Sequence, residues 1–396
     1  MLKIIFFFTN LVKILGININ QEIEREINSA KEYYNNNIIN KGINLYQNKP
    51  FFETYDIFTN EDIRENISCF RIPSILSNNN TIIAFSEARI NSCEDCSITG
   101  IVSKISYNSG KNWSTFDWVI PPNNRGGNPT TLYDSKNNKI MLYYSRGGNY
   151  FNSYWDCSPA HDNYYISSYN FGKSWENPVN ISKYLGKYKG LLPGPGNAIQ
   201  LKSGRYVIPG HYLTSNRVNG CVITYYSDDY GITYNISNEI KTMDESSIAE
   251  YNNKLIMISR NSQNNETCKC KTISISDNFG QTWNQYIYDY QLKEPICEGN
   301  LFNANNILMY VSPNMYYART NLTIYYKNNL NTKWKYLQIT DESTYTDYSV
   351  ITKINNKYIG IMWGSCTVPL PFRVWCTPKI GNWGFKFTLI LIDKFI

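Results

Sequence analysis

Three arginines stand where apolar strands ordinarily exclude charge. Arg71 lies inside the run CFRIPSIL (69–76), Arg260 ends the run KLIMISR (254–260), and Arg319 shortly precedes the strand-like NLTIYY (321–326). A guanidinium keeps its charge at every biological pH, and burying one without a partner is expensive. One such arginine would be explained by a structural ion pair. Three at comparable strand positions point to a shared ligand, because guanidinium forks bind a carboxylate through charge-assisted, bidentate hydrogen bonds.

Residues so far apart in the chain meet only if its elements are arranged around a common axis. Four stretches share the template Ser-x-Asp/Asn-x-Gly-x-x-Trp/Tyr: SYNSGKNW (106–113), SYNFGKSW (168–175), SDDYGITY (227–234) and SDNFGQTW (276–283). Their starts are separated by 62, 59 and 49 residues. An apolar or aromatic β-like run precedes each. Asp/Asn and Gly supply a tight hairpin turn, and the aromatic residue is expected to anchor the return strand. Further strand-like runs lie between them, including TIIAFSEA, KIMLYYS, RYVIPGHY, ILMYVS and YIGIMWG. Repeats of this length, each with several strands, predict an all-β chain: a six-bladed β-propeller with four-stranded antiparallel blades over residues 49–396. Residues 20–48 read as a helical extension, its amphipathic part at NQEIEREINSAKEYYN. Residues 1–19 resemble a signal peptide, although Asn10 and Lys13 interrupt the apolar run.

Composition narrows the partners. The chain has 396 residues, 34 of them Tyr, and a formal net charge of +6. No long Lys/Arg run is present, which argues against nucleic acid. A single CxxC (Cys93, Cys96) and only two histidines, His161 and His211, argue against a zinc site. No metal and no cofactor are expected. Ten cysteines fit disulfides in an oxidising compartment, with buried free thiols as the alternative. Cys93–Cys96 would close a tight loop, and either residue can instead pair elsewhere. With the leader, this places the protein on the secretory route, whether secreted, lysosomal or cell-surface associated.

FRIP followed by Asp-box repeats resembles the sialidase (neuraminidase) superfamily, and the likeness runs from about residue 50 to residue 394. The resemblance implies a six-bladed propeller that cleaves terminal sialic acid from glycoproteins, glycolipids or oligosaccharides. It implies that Arg71, Arg260 and Arg319 hold the substrate carboxylate. Arg260 matches through ESSIAEYNNKLIMISR, whose first residue, Glu245, matches the glutamate that activates the nucleophile. Tyr348, in TDYSVI, matches the nucleophilic tyrosine. Asp95, in EARINSCED, matches the acid/base aspartate, with Glu94 as the substitute candidate, and Arg89 matches a pocket arginine. Asn128 in GGNPTTLY and Trp155 in NSYWD fall at the rim, where the substrate's N-acetyl or glycerol group would lie. Tyr316 and Tyr317, just before Arg319, are candidates to stack on a sugar.

The resemblance also implies a glutamate supporting the first arginine after the last apolar strand. Here YIGIMWG places Gly364 at that position, so Arg71 needs another acid, for which Glu53 is the candidate. Three activities stay open: exo-α-sialidase, trans-sialidase and a non-catalytic sialic-acid-binding propeller.

Overall fold

The computed structural model describes residues 52–95, 97–147, 162–188, 191–212, 220–241, 243–261, 268–367 and 382–395. The leader (1–19), the helical extension (20–48) and Trp155 lie outside the described residues.

The alternating runs form strands, and six sheets result, arranged in a ring. Blade I comprises Ile67–Asn78, Thr81–Ile90, Ile98–Ser106 and Asp117–Ile120. Blades IV and V repeat this simple meander, IV from Ser246–Tyr251 to Ile287–Lys293 and V from Asn300–Ala304 to Lys335–Gln338. Blade II begins with Gly126–Asp134, and Gly196–Asn197 joins that strand in parallel. Blade III has an interrupted inner strand: Leu192–Pro193 and Ile199–Gln200 both pair with Tyr206–Tyr212. Blade VI combines Thr346–Lys353, Tyr358–Thr367 and Asn382–Leu391 with Phe52–Phe58, an outer strand supplied from the other end of the sequence. The six-bladed, antiparallel expectation therefore holds, apart from the parallel pairing at blade II. The described residues contain no α-helix, only single 3-10 turns.

The four Asp boxes occupy the turns after the third strands of blades I to IV, and their geometry is uniform. The box Gly N–H donates to the box Ser hydroxyl at 2.9, 2.8, 2.8 and 2.9 Å. The Asp/Asn side-chain oxygen accepts the backbone N–H four residues on, at 2.9 Å in every copy. An acceptor oxygen is all this turn requires, so Asn serves as well as Asp.

The box aromatic does more than anchor its own hairpin. Trp113 packs against Phe387 of blade VI, with ring centroids 5.5 Å apart, and Trp175 against Phe85 of blade I at 5.8 Å. Tyr234 shares a hydrogen bond with Tyr143 of blade II at 3.2 Å. Trp283 donates to the Thr224 hydroxyl of blade III at 2.9 Å. Each ring thus ties its blade to the preceding one. A fifth, degenerate box follows in blade V: Lys327 stands at the Ser position and Asn331 at the Gly position, yet Trp334 donates to Asp289 of blade IV at 2.8 Å.

Inner strands of different blades are also bonded to one another by small polar side chains. Ser74 of blade I meets Thr131 of blade II at 2.7 Å, Asn197 donates to the Ile351 carbonyl of blade VI at 3.2 Å, and Asn300 of blade V donates to Ser247 of blade IV at 3.0 Å. These buried groups satisfy each other, as a dry interior requires.

Gly110 illustrates the tightness of the box. Its φ is +86°, and a Cβ there would lie 2.1 Å from the Phe387 ring. Gly110→Ala is expected to cost about 2–3 kcal/mol, from left-handed strain and overpacking. The measurement is the urea midpoint against the parent protein.

Candidate active site

Successive side chains of a strand point to opposite faces, so neighbouring residues do not ordinarily share a site. Bulges break this rule in three inner strands. In blade I the register shifts between Arg71 and Pro73, around Ile72 at φ +57°. In blade II it shifts between Gly127 and Thr130, around Asn128 at φ +53°. In blade VI it shifts between Thr346 and Ser349, so Asp347 and Tyr348 both reach the candidate site. Bulges re-aim side chains at the cost of ladder bonds, and a β-branched residue at positive φ is strained. Ile296, whose carbonyl accepts from Arg319 at 2.6 Å, is a second such residue, at φ +57°.

These distortions bring the arginines, Glu245 and Tyr348 together. The Tyr348 phenol donates to Glu245 Oε1 at 2.5 Å. Arg260 Nη1 donates to Glu245 Oε2 at 2.6 Å and to the Tyr348 oxygen at 2.9 Å. The guanidiniums of Arg71 and Arg319 lie over the Tyr348 ring, 5.6 and 5.5 Å from its centroid. Burial, reinforced by Glu245, holds the Tyr348 hydroxyl well above the ordinary phenol range, with Arg260 and Arg319 opposing.

Asp347, which sequence reading missed, is the acid at the arginines. Its Oδ1 accepts from Arg319 Nη1 at 2.7 Å, and its Oδ2 forms an ion pair with Arg71 Nη2 at 3.1 Å. Burial alone would raise this carboxyl, but Arg71 and then Arg319 outweigh it and hold it low. Glu53 does not fill the role: it is exposed and pairs with Lys111 at 3.2 Å. Signals for Asp347 existed in the acid beside Tyr348 and in Gly364 on the facing strand, but the bulge that unites them has no sequence signature.

Asp95 sits on the loop after the second strand of blade I. Arg89, itself buried, donates to Asp95 at 2.9 Å, to the Cys93 carbonyl at 2.8 Å and to Glu87 at 3.1 Å. Glu94 takes none of these bonds. The Asp95 side chain is 84% accessible. The surrounding protein tends to raise its carboxyl, but Arg89, then Arg71 and Arg319, hold it below the usual carboxylate range. A Cys69–Cys93 disulfide fastens this loop to the strand bearing Arg71, so Cys93 does not pair with Cys96. Cys221 and Cys297 are free and buried, contrary to an all-disulfide reading of the ten cysteines.

Asn128 is reached through Glu87, which accepts its backbone N–H at 2.8 Å, while its amide points to the Pro193 carbonyl at 3.4 Å. Tyr316 and Tyr317 are exposed beside Arg319, with Lys293 and Lys269 over their rings. The segment carrying Ile296 rests on a fully buried ion pair, Lys271–Glu294 at 2.9 Å. Glu294 accepts the Cys297 N–H at 3.0 Å, and Lys271 donates to the Cys297 carbonyl.

The family model for the BNR repeat-like domain matches residues 80–361. The chain is 27% identical over 271 residues to a sialidase of Paraclostridium sordellii, covering 62% of this chain and 63% of that protein. It therefore spans under two thirds of that relative. A sialidase of Clostridium perfringens is also 27% identical over 271 residues, covering 63% of this chain and 69% of that protein. In fold, it resembles a Hadza microbial sialidase with a TM-score of 0.74 at 20% identity, covering 87% of this chain and 69% of the other. It also resembles Trypanosoma rangeli sialidase in complex with the inhibitor DANA, with a TM-score of 0.68 at 17% identity, covering 86% and 60%.

The Lys271–Glu294 pair generates a stability prediction. Removing one partner of a buried ion pair strands the other, so Lys271→Met is expected to destabilise by about 3–5 kcal/mol. Urea unfolding checks this.

Proposed function

The chain belongs to the BNR-repeat sialidase superfamily, and from that premise we propose that it is an exo-α-sialidase, releasing terminal sialic acid from glycoproteins, glycolipids or oligosaccharides with retention. The observation that carries this reading is the Tyr348–Glu245–Arg260 linkage, in which one phenol is hydrogen-bonded to both a carboxylate and a guanidinium. Arg71, Arg260 and Arg319 take the substrate carboxylate. Tyr348 attacks the anomeric carbon as its proton passes to Glu245, and Arg260 supports the charge growing on the phenolic oxygen. A neutral nucleophile avoids the repulsion that a carboxylate would meet beside the substrate's own carboxylate. Most glycosidases use a pair of carboxylates, and sialidases as a class depart from that pattern with a tyrosine. Asp95 gives a proton to the departing glycosidic oxygen. It then takes one from the water that attacks the glycosyl–tyrosine bond, and Glu245 returns the proton to Tyr348. Arg89 positions Asp95, and Asn128 belongs to the rim. The Cys69–Cys93 disulfide supports placing the protein on the secretory route.

A second reading, transfer of the sialyl group to a sugar hydroxyl, is favoured by one observation: Tyr316 and Tyr317, close before Arg319 in the chain, are exposed, with a lysine over one face of each ring. Lactose added to the reaction would then yield sialyllactose.

Two predictions test the reading. A fluorogenic sialoside should be hydrolysed by the protein, and Tyr348→Phe should lower turnover by at least about 100-fold while the variant remains folded. Binding without any turnover would instead assign a lectin-like role. The second concerns pH. Asp95 must be protonated to act as an acid, yet Arg89, Arg71 and Arg319 favour its ionised form. kcat/KM should therefore fall as pH rises out of the acid range. Arg89→Gln removes one of those charges, which raises the Asp95 carboxyl, so the falling limb should move to higher pH. A pH–rate profile of the two proteins measures the shift.

A further inference from the structure

Asp347 does something that a carboxylate on the facing strand would not. It touches two arginines at once, Arg319 at 2.7 Å and Arg71 at 3.1 Å, and those same two guanidiniums lie over the Tyr348 ring. It is only 3% exposed, so its charge acts with little help from water. Two unbridged guanidiniums in this space would repel each other. One carboxylate between them fixes their separation.

The facing strand is shaped for this acid. Ser349 pairs with Trp363 and Thr346 with Ser365, which leaves Gly364 opposite the bulged Asp347 and Tyr348. A Cβ on Gly364 would lie 2.6 Å from the Asp347 Cβ and 3.4 Å from its Cα. No real Cβ tolerates the shorter distance, so a side chain at 364 and the present position of Asp347 exclude each other. The bulge and the glycine are two halves of one arrangement.

We propose that Asp347 is the positioning residue for the paired arginines Arg71 and Arg319, and that Gly364 is its steric complement. The pair moves the supporting carboxylate from the second strand of blade VI to the first. The inference rests on the sialoside reading of the site. Asp347 itself touches no substrate; it sets the spacing of the two guanidiniums that receive the substrate carboxylate.

The test uses the full chain and 4-methylumbelliferyl N-acetylneuraminic acid. Asp347→Asn should raise KM by roughly tenfold or more while kcat changes by less than about threefold, because substrate-carboxylate binding is what it perturbs. Asp347→Gly combined with Gly364→Glu, which removes the clashing Cβ at 347 and returns a carboxylate from the other strand, should recover most of the KM lost in Asp347→Gly alone. Gly364→Ala alone should behave like Asp347→Asn, by displacing the aspartate. An unchanged KM in Asp347→Asn overturns the proposal, as does a fall in kcat alone or a swap variant no better than Asp347→Gly. Loss of the circular-dichroism signal in both Asp347→Asn and the swap variant would assign Asp347 to the fold and overturn it too. If the parent protein shows no turnover, the hydrolase reading fails separately, and the same ranking is read from calorimetric Kd values for free N-acetylneuraminic acid. Absence of that binding in the parent overturns both.

Discussion

Like charges forced into one small volume set the terms for everything around them. Arg71, Arg260 and Arg319 approach a single tyrosine from three blades, and each carries its charge permanently. The acids nearby are the counterweight. Asp347 bridges two of the arginines, Glu245 binds the third, and Asp244 lies 3.7 Å from Arg260 Nε. Removing charges from water is costly unless their polar atoms find partners; the phenol of Tyr348 and the carbonyl of Ile296 supply two, while Arg260 Nε and Asp347 Oδ2 are buried with ion-pair contacts alone. The same field acts on the groups that titrate: it holds Asp95 and Asp347 low, while burial and Glu245 hold Tyr348 high. Charge balance and reactivity are therefore one design problem.

That problem is solved by bending strands. Bulges at Arg71–Pro73, Gly127–Thr130 and Thr346–Ser349 all fall in inner strands, and all re-aim residues of the candidate site. The strain at Ile72 is offset by packing: Ile72, Cys297 and Tyr348 form their own small buried cluster. Below Ile296 and Cys297, the Lys271–Glu294 pair gives the segment a rigid footing. The site's irregular backbone is thus braced from beneath, while polar side chains bond the inner strands of blades I and II, II and VI, and IV and V to one another.

Much of this was legible in the sequence. The Asp boxes revealed the repeat because their turns need particular residues at fixed offsets, and the arginines stood out because charge interrupts an apolar strand. The fifth box is not legible in the sequence because Lys327 and Asn331 replace the Ser and Gly that define the pattern, although Trp334 keeps its inter-blade bond. The direction taken by the box aromatics, back to the preceding blade, depends on blade order and not on the hairpin that carries them. Asp347 was hidden for a different reason. Strand periodicity sends neighbouring residues to opposite faces, so Tyr348 at the site argued against Asp347 being there too. The Cys69–Cys93 pairing likewise required knowing that the Asp95 loop returns to the strand of Arg71.

Closure of the ring has a consequence for biosynthesis. Blade VI carries Asp347 and Tyr348, but its outer strand is Phe52–Phe58, which pairs with Asn382–Leu391. As the chain leaves the ribosome, Phe52–Phe58 emerges among the first strands of the propeller, and its partner emerges last. Until then one sheet edge stays open, a template for pairing with another chain. Contacts of such long sequence separation also form slowly. The interval between translating residue 58 and residue 391 is thus the period of greatest exposure to misassembly, and the last blade to be translated is the one on which the candidate site depends.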